Sequence, residues 1–195
     1  MNLVAHDPKQ PIDICGYSIP APSCVIHFYY SAEERRRFAG FLAEGISGGD
    51  AVVLACTRDG HGALADALQS HRIARNDRRL PRVDVLPDIA ATAASIAQSV
   101  RAACRARKLR TRLLADFGQT AGPETIFEIE GLLSSALRGL NVVSITQYHG
   151  RTFAASATLE QFHTHALAIV GNAICKENRN YIPPEHYLRK FAAKA

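Results

Sequence analysis

Short apolar segments alternate with helix-like segments about every 25–30 residues, and this alternation limits the available folds more than any other feature. The apolar segments are rich in β-branched and aromatic residues, which indicates buried strands. They are continuously apolar, as is typical of a parallel sheet covered on both faces. The sequence therefore predicts an α/β protein, a three-layer α/β/α sandwich with a mostly parallel sheet.

The predicted elements follow one another without an internal repeat. Ser31 and Glu34 fit a capping box that starts the first helix, and Gly48-Gly49 is predicted to end it. Residues 1–22 contain several prolines and are predicted to form an extended arm before a single domain over 23–190. We predict strands over residues 23–30, 51–56, 82–86, 112–117, 141–147 and within 173–187, and further helices over 61–71, 90–107, 123–137 and 159–169.

Composition is that of an ordinary globular domain. The 195 residues are 47% apolar and 21% charged, which excludes intrinsic disorder. A net charge of +5 permits an acidic partner but does not demand nucleic acid. Because no apolar run approaches the roughly 18–20 residues of a membrane span and no secretory signal is recognisable, we expect a cytoplasmic protein without a membrane partner.

Neither the cysteines nor the histidines have the spacing of a metal site. The five cysteines are scattered without a Cys-x-x-Cys pair, so reduced thiols are expected rather than a zinc knuckle or a disulfide framework. His163 and His165 are two residues apart, which would direct them to different sides of a predicted helix. We expect no metal and no cofactor.

Candidate ligand contacts lie at the carboxyl ends of the predicted strands, where open α/β sheets bind ligands. Aromatic and polar residues gather there and would either line a small-molecule pocket or form ordinary packing at the sheet edge. His27 lies inside a strand and would serve equally well as a core residue. The strand-end segments are Tyr29-Tyr30-Ser31, Thr57-Arg58-Asp59, Asp116-Phe117-Gly118-Gln119 and Gln147-Tyr148-His149.

The common catalytic and nucleotide motifs are missing from the sequence. No Gly-rich loop ending in Gly-Lys-Ser/Thr follows the first strand, no Gly-x-Gly-x-x-Gly follows any strand, and no Gly-x-Ser-x-Gly elbow occurs. Asp116 ends an apolar run, as a magnesium-holding aspartate does, but it would equally cap the following loop.

Two runs of basic residues lack the aromatic interleaving that nucleic-acid binding would want, and the first run also contains no acidic residue. One includes Arg101, Arg105, Arg107, Lys108, Arg110 and Arg112, and the other spans residues 72–82. We interpret them as solvated faces, with an acidic protein partner as the alternative.

A set of short motifs carries a family resemblance. The first are Cys24-Val-Ile-His27-Phe28-Tyr29, Phe41-Leu-Ala-Glu-Gly45, Gly49 to Thr57, and His61. Later ones are Arg112-Leu-Leu-Ala-Asp116-Phe-Gly118, Phe127-Glu-Ile-Glu130, Ser144-Ile-Thr-Gln-Tyr148 with Arg151, Phe153 and His165, and Asn178-Arg-Asn-Tyr181-Ile-Pro-Pro184. Over residues 23–188 the chain thereby resembles the MEDS domains, sensory domains of methanogen and methylotroph regulators of the dichloromethane-regulator type.

The resemblance implies a RecA-like fold without a working phosphate loop, and a sensor of small organic ligands such as hydrocarbon derivatives. Three positions differ from the family pattern. Cys24 stands where the family usually has His, Thr146 where it usually has Cys, and Asp116-Phe117-Gly118 replaces a Gly-Glu-Met type triplet. The family's usual output domain is not recognisable here, so output would pass through a kinase, a sigma-factor regulator, a transcription factor or self-association.

The leading hypothesis is a non-enzymatic signalling module that binds a small organic molecule at the strand ends. One alternative is a degenerate nucleotide-binding protein in which Asp116 and Glu33 or Glu34 hold a metal. Another is an interaction module whose arginine-rich helix, over 90–112, binds an acidic partner. The predicted ligand contacts are Tyr29, Arg58, His61, Asp116, Gln119, Tyr148 and Arg151, with His27 and His165 next.

Overall fold

The computed structural model describes residues 10–107, 110–118, 123–152, 165, 167–171 and 173–176. Its strands and helices follow the predicted alternation for most of the chain. The strands are β1 (Ile12–Ile14), β2 (Tyr17–Ile19), β3 (Ser23–Tyr29), β4 (Ala51–Cys56), β5 (Arg82–Asp84), β6 (Thr111–Gly118), β7 (Val142–His149), β8 (Leu167–Val170) and β9 (Ala173–Lys176). The helices are α1 (Ala32–Arg36), α2 (Ala39–Gly48), α3 (Arg58–Ser70), α4 (Ile89–Arg107) and α5 (Pro123–Leu137), and a 3₁₀ turn covers Gly150–Thr152.

In the part of the chain that the structure describes, seven strands form one sheet in the order β5-β4-β6-β7-β3-β8-β9. Neighbouring strands are parallel except β8 and β9, which are antiparallel. The first long strand, β3, lies between β7 and β8, as in a RecA-like sheet. The predicted α/β/α sandwich with a mostly parallel sheet is confirmed.

Each face of the sheet has its own hydrophobic core. On one face, α2 and α3 contribute Leu42 and Leu64 against residues such as Leu54. On the other, α4 and α5 contribute Ile96 and Ile129. Because both faces are covered, the strands are buried along nearly their whole length, which explains their continuous apolar pattern.

The predicted capping box forms only in part at the end of β3, because Glu34 returns its hydrogen bond to Tyr30 instead of to Ser31. The Ser31 hydroxyl accepts from the amide of Glu34 at 3.1 Å. The Glu34 carboxylate accepts from the amide of Tyr30 at 2.6 Å, one residue before the N-cap. The predicted single helix is divided into α1 and α2, and Gly49 ends α2 in the left-handed conformation at φ 85°.

The predicted N-terminal arm contains a hairpin instead of extended chain alone. β1 and β2 pair antiparallel around a turn in which Cys15 and Gly16 both have positive φ. Ile12, Ile14 and Ile19 are buried in the same core as α2. The hairpin therefore packs on the domain. The prolines of this segment had instead favoured the prediction of an extended arm.

Two arginines of the predicted solvated run are buried, which corrects that interpretation. Arg110 and Arg112 are 2% and 3% exposed, and both pair with Asp50, whose Oδ2 lies 2.8 and 2.7 Å from their nitrogens. Arg110 precedes β6 and Arg112 is its second residue, and both pair with Asp50 between α2 and β4. Arg101 and Arg105 are exposed on α4, as predicted.

The helix predicted over residues 159–169 is wrong at its end, because Leu167–Val170 is strand β8. This segment pairs with β3 in parallel register, Val25 opposite Leu167. A short apolar run is compatible with either a helix or a strand. Here it forms a strand because it pairs along the edge of β3. Among the described residues, no helix is long and apolar enough to cross a membrane.

Candidate functional site

A cleft of about 580 Å³ opens at the carboxyl ends of β3, β4, β6 and β7, where the sequence placed the candidate site. Aromatic, hydroxyl and charged side chains line it, and it is open to solvent. The lining residues are Tyr29, Tyr30, Ser31, Ala32, Arg35, Thr57, Asp59, Ala63, Gly118 and His149. Every strand end singled out in the sequence contributes to it.

An ion pair between half-buried Arg35 and buried Asp116 lies at the base of this cleft. Arg35 Nε donates to Asp116 Oδ2 at 2.6 Å, joining α1 to the end of β6. The other carboxylate oxygen accepts from the amide of Gly118 at 3.0 Å and from the hydroxyl of Tyr29 at 3.5 Å. The Arg35 guanidinium also lies over the Tyr29 ring, 5.5 Å from its centroid. Asp116 therefore holds both side chains in place.

The electrostatics of this group depend on its burial. Burial raises the pKa of the Asp116 carboxyl above its ordinary value, although Arg35 and the Gly118 amide favour the charged form. Burial lowers the pKa of Arg35, but the adjacent carboxylate more than offsets this and raises it overall. Burial and the charge of Asp116 together raise the pKa of Tyr29, which keeps its hydroxyl protonated.

The first turn of α3 approaches the ion pair because it carries Gly60. A Cβ at this position would lie 2.8 Å from the Arg35 guanidinium, 3.1 Å from Asp116 and 3.1 Å from Cys56. Thr57 caps this helix, its hydroxyl accepting from the Gly60 amide at 3.2 Å. The glycine is thus needed for the close contact between α3 and the base of the cleft.

His61 lies beside the cleft in a chain of three groups that resembles a thiol-nucleophile arrangement. Its Nδ1 is 2.9 Å from Cys56 Sγ, and its Nε2 is 3.0 Å from Asp84 Oδ1. Cys56, however, is 0% exposed, and burial followed by the charge of Asp116 raises the pKa of its thiol. A buried, protonated thiol is a hydrogen-bonding group rather than a nucleophile.

The remaining predicted contacts are divided between the surface and the core. Arg58 and Arg151 are exposed, and neither lines the cleft. His27 is completely buried against Phe38, their ring centroids 4.9 Å apart, and burial, with the charge of Arg37, lowers its pKa to about 4. Gln119 lies outside the described residues.

Tyr148 and His165 belong to a second group, which lies between the sheet and α5. Both contact Glu130, which is 2% exposed: Tyr148 donates its hydroxyl to Oε1 at 2.6 Å, and His165 Nε2 lies 3.0 Å from Oε2. Burial lowers the pKa of His165, but the Glu130 charge outweighs it and raises that pKa well above its ordinary value. Burial alone would raise the pKa of the Glu130 carboxyl, but the charge of His165 outweighs this effect and lowers that pKa overall.

Several residues of these two groups were absent from the predicted contacts. Arg35 belongs to an arginine run that looks solvated, and only its position four residues after the Ser31 N-cap hints that it faces the strand end. Glu130 was noted only as part of a motif, although one acidic residue on the apolar face of a predicted helix is itself a signal. Cys24 departs from the family pattern, but no local pattern indicates that it lies close to Glu130 and His165.

Comparison with protein-family models finds no match for this chain, and comparison with curated proteins finds none either.

Proposed function

We propose that this chain is a non-enzymatic sensory module that binds a small organic molecule in the strand-end cleft. One observation carries the proposal: Tyr29 and Arg35 line the cleft and are held from below by the buried Asp116, in a position typical of ligand sites in α/β proteins. The resemblance to MEDS domains, based on the motifs of residues 23–188, supports the same function.

The chemistry of the lining favours a small molecule without net charge. The guanidinium of Arg35 is already neutralised by Asp116, and Asp59 adds a carboxylate at the rim. Tyr29, Tyr30 and His149 provide aromatic walls, with the rings of Tyr29 and His149 edge to face at 5.3 Å. A compact apolar body with one hydroxyl or carbonyl group fits this mixture of walls and donors.

The nucleotide hypothesis finds less support in the same contacts. The amides of Tyr30 and Glu34 donate to Glu34 and Ser31 side chains, so they are not open to a phosphate. A phosphate at this turn would also meet the Glu34 carboxylate. Asp116 Oδ2 binds Arg35 at 2.6 Å, which competes with its use as a metal ligand.

Output through a partner protein would pass through α1. This helix carries Arg35 at the cleft, yet none of its residues is buried. The carbonyl of Arg35 also accepts from Gln147 Nε2 at 3.0 Å, so the helix is attached to β7. A molecule that changes the contacts of Arg35 would therefore alter an exposed surface, by as much as its affinities for the two arrangements differ.

Thermal unfolding against a compound panel tests this proposal. The panel contains short alcohols, aldehydes, haloalkanes and simple aromatic compounds, with ATP and GTP plus magnesium as a separate arm. At a hundredfold excess over its Kd, a bound compound raises the free energy of unfolding by about 2.7 kcal/mol. For a chain of this size that corresponds to a Tm increase of roughly 5–10 °C.

Two leucine variants on α3 localise any response. Ala63 lines the cleft, so Ala63→Leu fills part of it and should abolish the shift. Gln69 is exposed on the same helix, so Gln69→Leu should keep the shift. A panel without any shift, or a shift that survives Ala63→Leu, would refute binding in this cleft, and a shift only with nucleotides would favour the alternative.

A further inference from the structure

The buried group around Glu130 has the donor set and spacing of a metal centre. It combines a thiol from β3, a carboxylate from α5 and an imidazole from the segment before β8: Cys24, Glu130 and His165. We propose that these three side chains bind one Zn²⁺ ion. The inference is independent of the strand-end cleft, since the two cavities share no lining residue.

The distances between the donor atoms suit a tetrahedral ion. Ligands at about 2.0–2.3 Å from zinc lie about 3.3–3.8 Å from one another. Here Glu130 Oε2 is 3.0 Å from His165 Nε2 and 3.9 Å from Cys24 Sγ, and all three donor atoms lie within 4.8 Å of one another. Shifts of a few tenths of an ångström would bring the two Glu130 pairs to zinc-binding distances, and Cys24 and His165 need to approach each other by at most about 1 Å.

A supporting residue holds the carboxylate in the orientation that a metal needs. The buried Tyr148 hydroxyl donates to Glu130 Oε1 at 2.6 Å, which leaves Oε2 directed at His165 and Cys24. Outer hydrogen bonds of this kind orient metal ligands in known sites. The register of the sheet brings Cys24 and Tyr148 together. Cys24 of β3 lies opposite Ser144 of β7, and Tyr148 is on the same face of β7 as Ser144.

The fourth coordination position has an opening to one side. A cavity of about 270 Å³ adjoins the group and is lined by Cys24 and Glu130 together with apolar residues, small hydroxyl residues and Arg138. Three protein ligands beside an open position are typical of zinc that holds water or an exchangeable ligand. A half-exposed Cys24 also provides an entry path for the ion.

Zinc binding would leave the charge of this buried group unchanged. In the structure Cys24 Sγ and His165 Nε2 lie 3.9 and 3.0 Å from the same oxygen, Glu130 Oε2. A neutral thiol, a carboxylate and an imidazolium together carry no net charge, and neither do a thiolate, a carboxylate, a neutral imidazole and Zn²⁺, so two protons would leave to solvent as the ion binds. The buried site therefore accepts the ion without an added net charge, whose burial is costly.

Metal titration of the untagged full chain tests the proposal. After treatment with a chelator, the protein is titrated with Zn²⁺ against a chromophoric competitor, and separately with Co²⁺, whose thiolate bond gives a charge-transfer band in the near ultraviolet. We expect one ion per chain and a cobalt–thiolate band. Cys24→Ser should abolish that band and weaken zinc binding by more than about a hundredfold, and Tyr148→Phe should weaken it by about 10–100-fold.

Cys104→Ser is the matched control. This half-buried thiol lies on α4, 3.0 Å from Thr111 Oγ1 of β6. Because it is not one of the three proposed ligands, its replacement should leave both readouts unchanged. Circular dichroism of each variant before titration shows that it is folded. Absence of stoichiometric zinc binding by the wild-type chain, or binding that Cys24→Ser leaves unchanged, would overturn the proposal whatever the strand-end cleft binds.

Discussion

Arg35 and Asp116 form an ion pair across the carboxyl ends of β3 and β6, although 81 positions separate them in the chain. Asp116 is 0% exposed, whereas the Arg35 side chain is 18% exposed. The pair is therefore asymmetric, because the arginine has a route to water and the carboxylate does not. Removal of the arginine should therefore have a different effect on stability from removal of the aspartate.

Arg35→Ala should destabilise the protein more than Asp116→Ala. Loss of the arginine leaves a buried carboxylate without its counter-charge, which costs about 3–5 kcal/mol unless the group takes up a proton. Loss of the aspartate leaves an arginine that can turn toward solvent. Urea unfolding of both single variants and the double variant measures the coupling, expected at more than about 1 kcal/mol. Additive effects would show that the pair does not stabilise this end of the sheet.

His27 should make stability depend on pH between about 4 and 6.5. Burial lowers its pKa to about 4 in the folded state, against an ordinary value of about 6.5. Within that window the unfolded chain binds more protons, so the free energy of unfolding rises with pH. The contribution is fully present above pH 6.5, and roughly 3 kcal/mol of it is lost as the pH falls to 4.

Urea unfolding at several pH values, compared with His27→Phe, isolates this contribution. The difference in unfolding free energy between the two proteins should change by roughly 3 kcal/mol across the window. His71→Gln, at an exposed position after α3, should retain the wild-type slope. An equal slope in His27→Phe would mean that His27 is not buried in its neutral form.

Local patterns predicted elements well wherever neighbouring residues determine them. Pro123 at the first turn and a continuous apolar face marked α5, and the six apolar residues of β4 match their strand. Elements that depend on distant partners were missed. The β1–β2 hairpin has only three residues per strand, and the identity of β8 as a strand depends on pairing with β3.

The same limit explains which parts of the site could be predicted. Tyr29 and Asp116 follow from the rule that ligand sites lie at strand ends. Their link through Arg35 does not, because no local pattern records which arginine turns inward. Tyr148 also lies near a strand end, but its side chain faces α5, where Glu130 accepts a hydrogen bond from its hydroxyl. Partners in different layers become apparent only when the sheet and the helices are assembled.

Cys56 should resist alkylation in the folded protein, whereas Cys15 should react. Cys15 is exposed in the β1–β2 turn, but Cys56 is completely buried and its thiol pKa is raised by that burial. Iodoacetamide labelling at pH 8, followed by peptide mass spectrometry, should show Cys56 at least about a hundredfold slower. Both should react at similar rates in denaturant. Rapid labelling of native Cys56 would instead support a reactive thiol with His61 as its base.

Alanine at Gly60 and at Gly62 should change stability in opposite directions. Both glycines lie in α3, where alanine is favoured over glycine by about 0.5–1 kcal/mol. A Cβ at Gly62 meets nothing within 4 Å, so Gly62→Ala should stabilise by about this amount. At Gly60 the added methyl group would displace the Arg35 guanidinium and press on Asp116 and Cys56, so Gly60→Ala should destabilise by about 1–3 kcal/mol. Thermal unfolding of the two variants compares them directly. Equal stabilisation by both would mean that α3 does not need its close approach to the ion pair, and that the base of the cleft is less tightly packed than its geometry indicates.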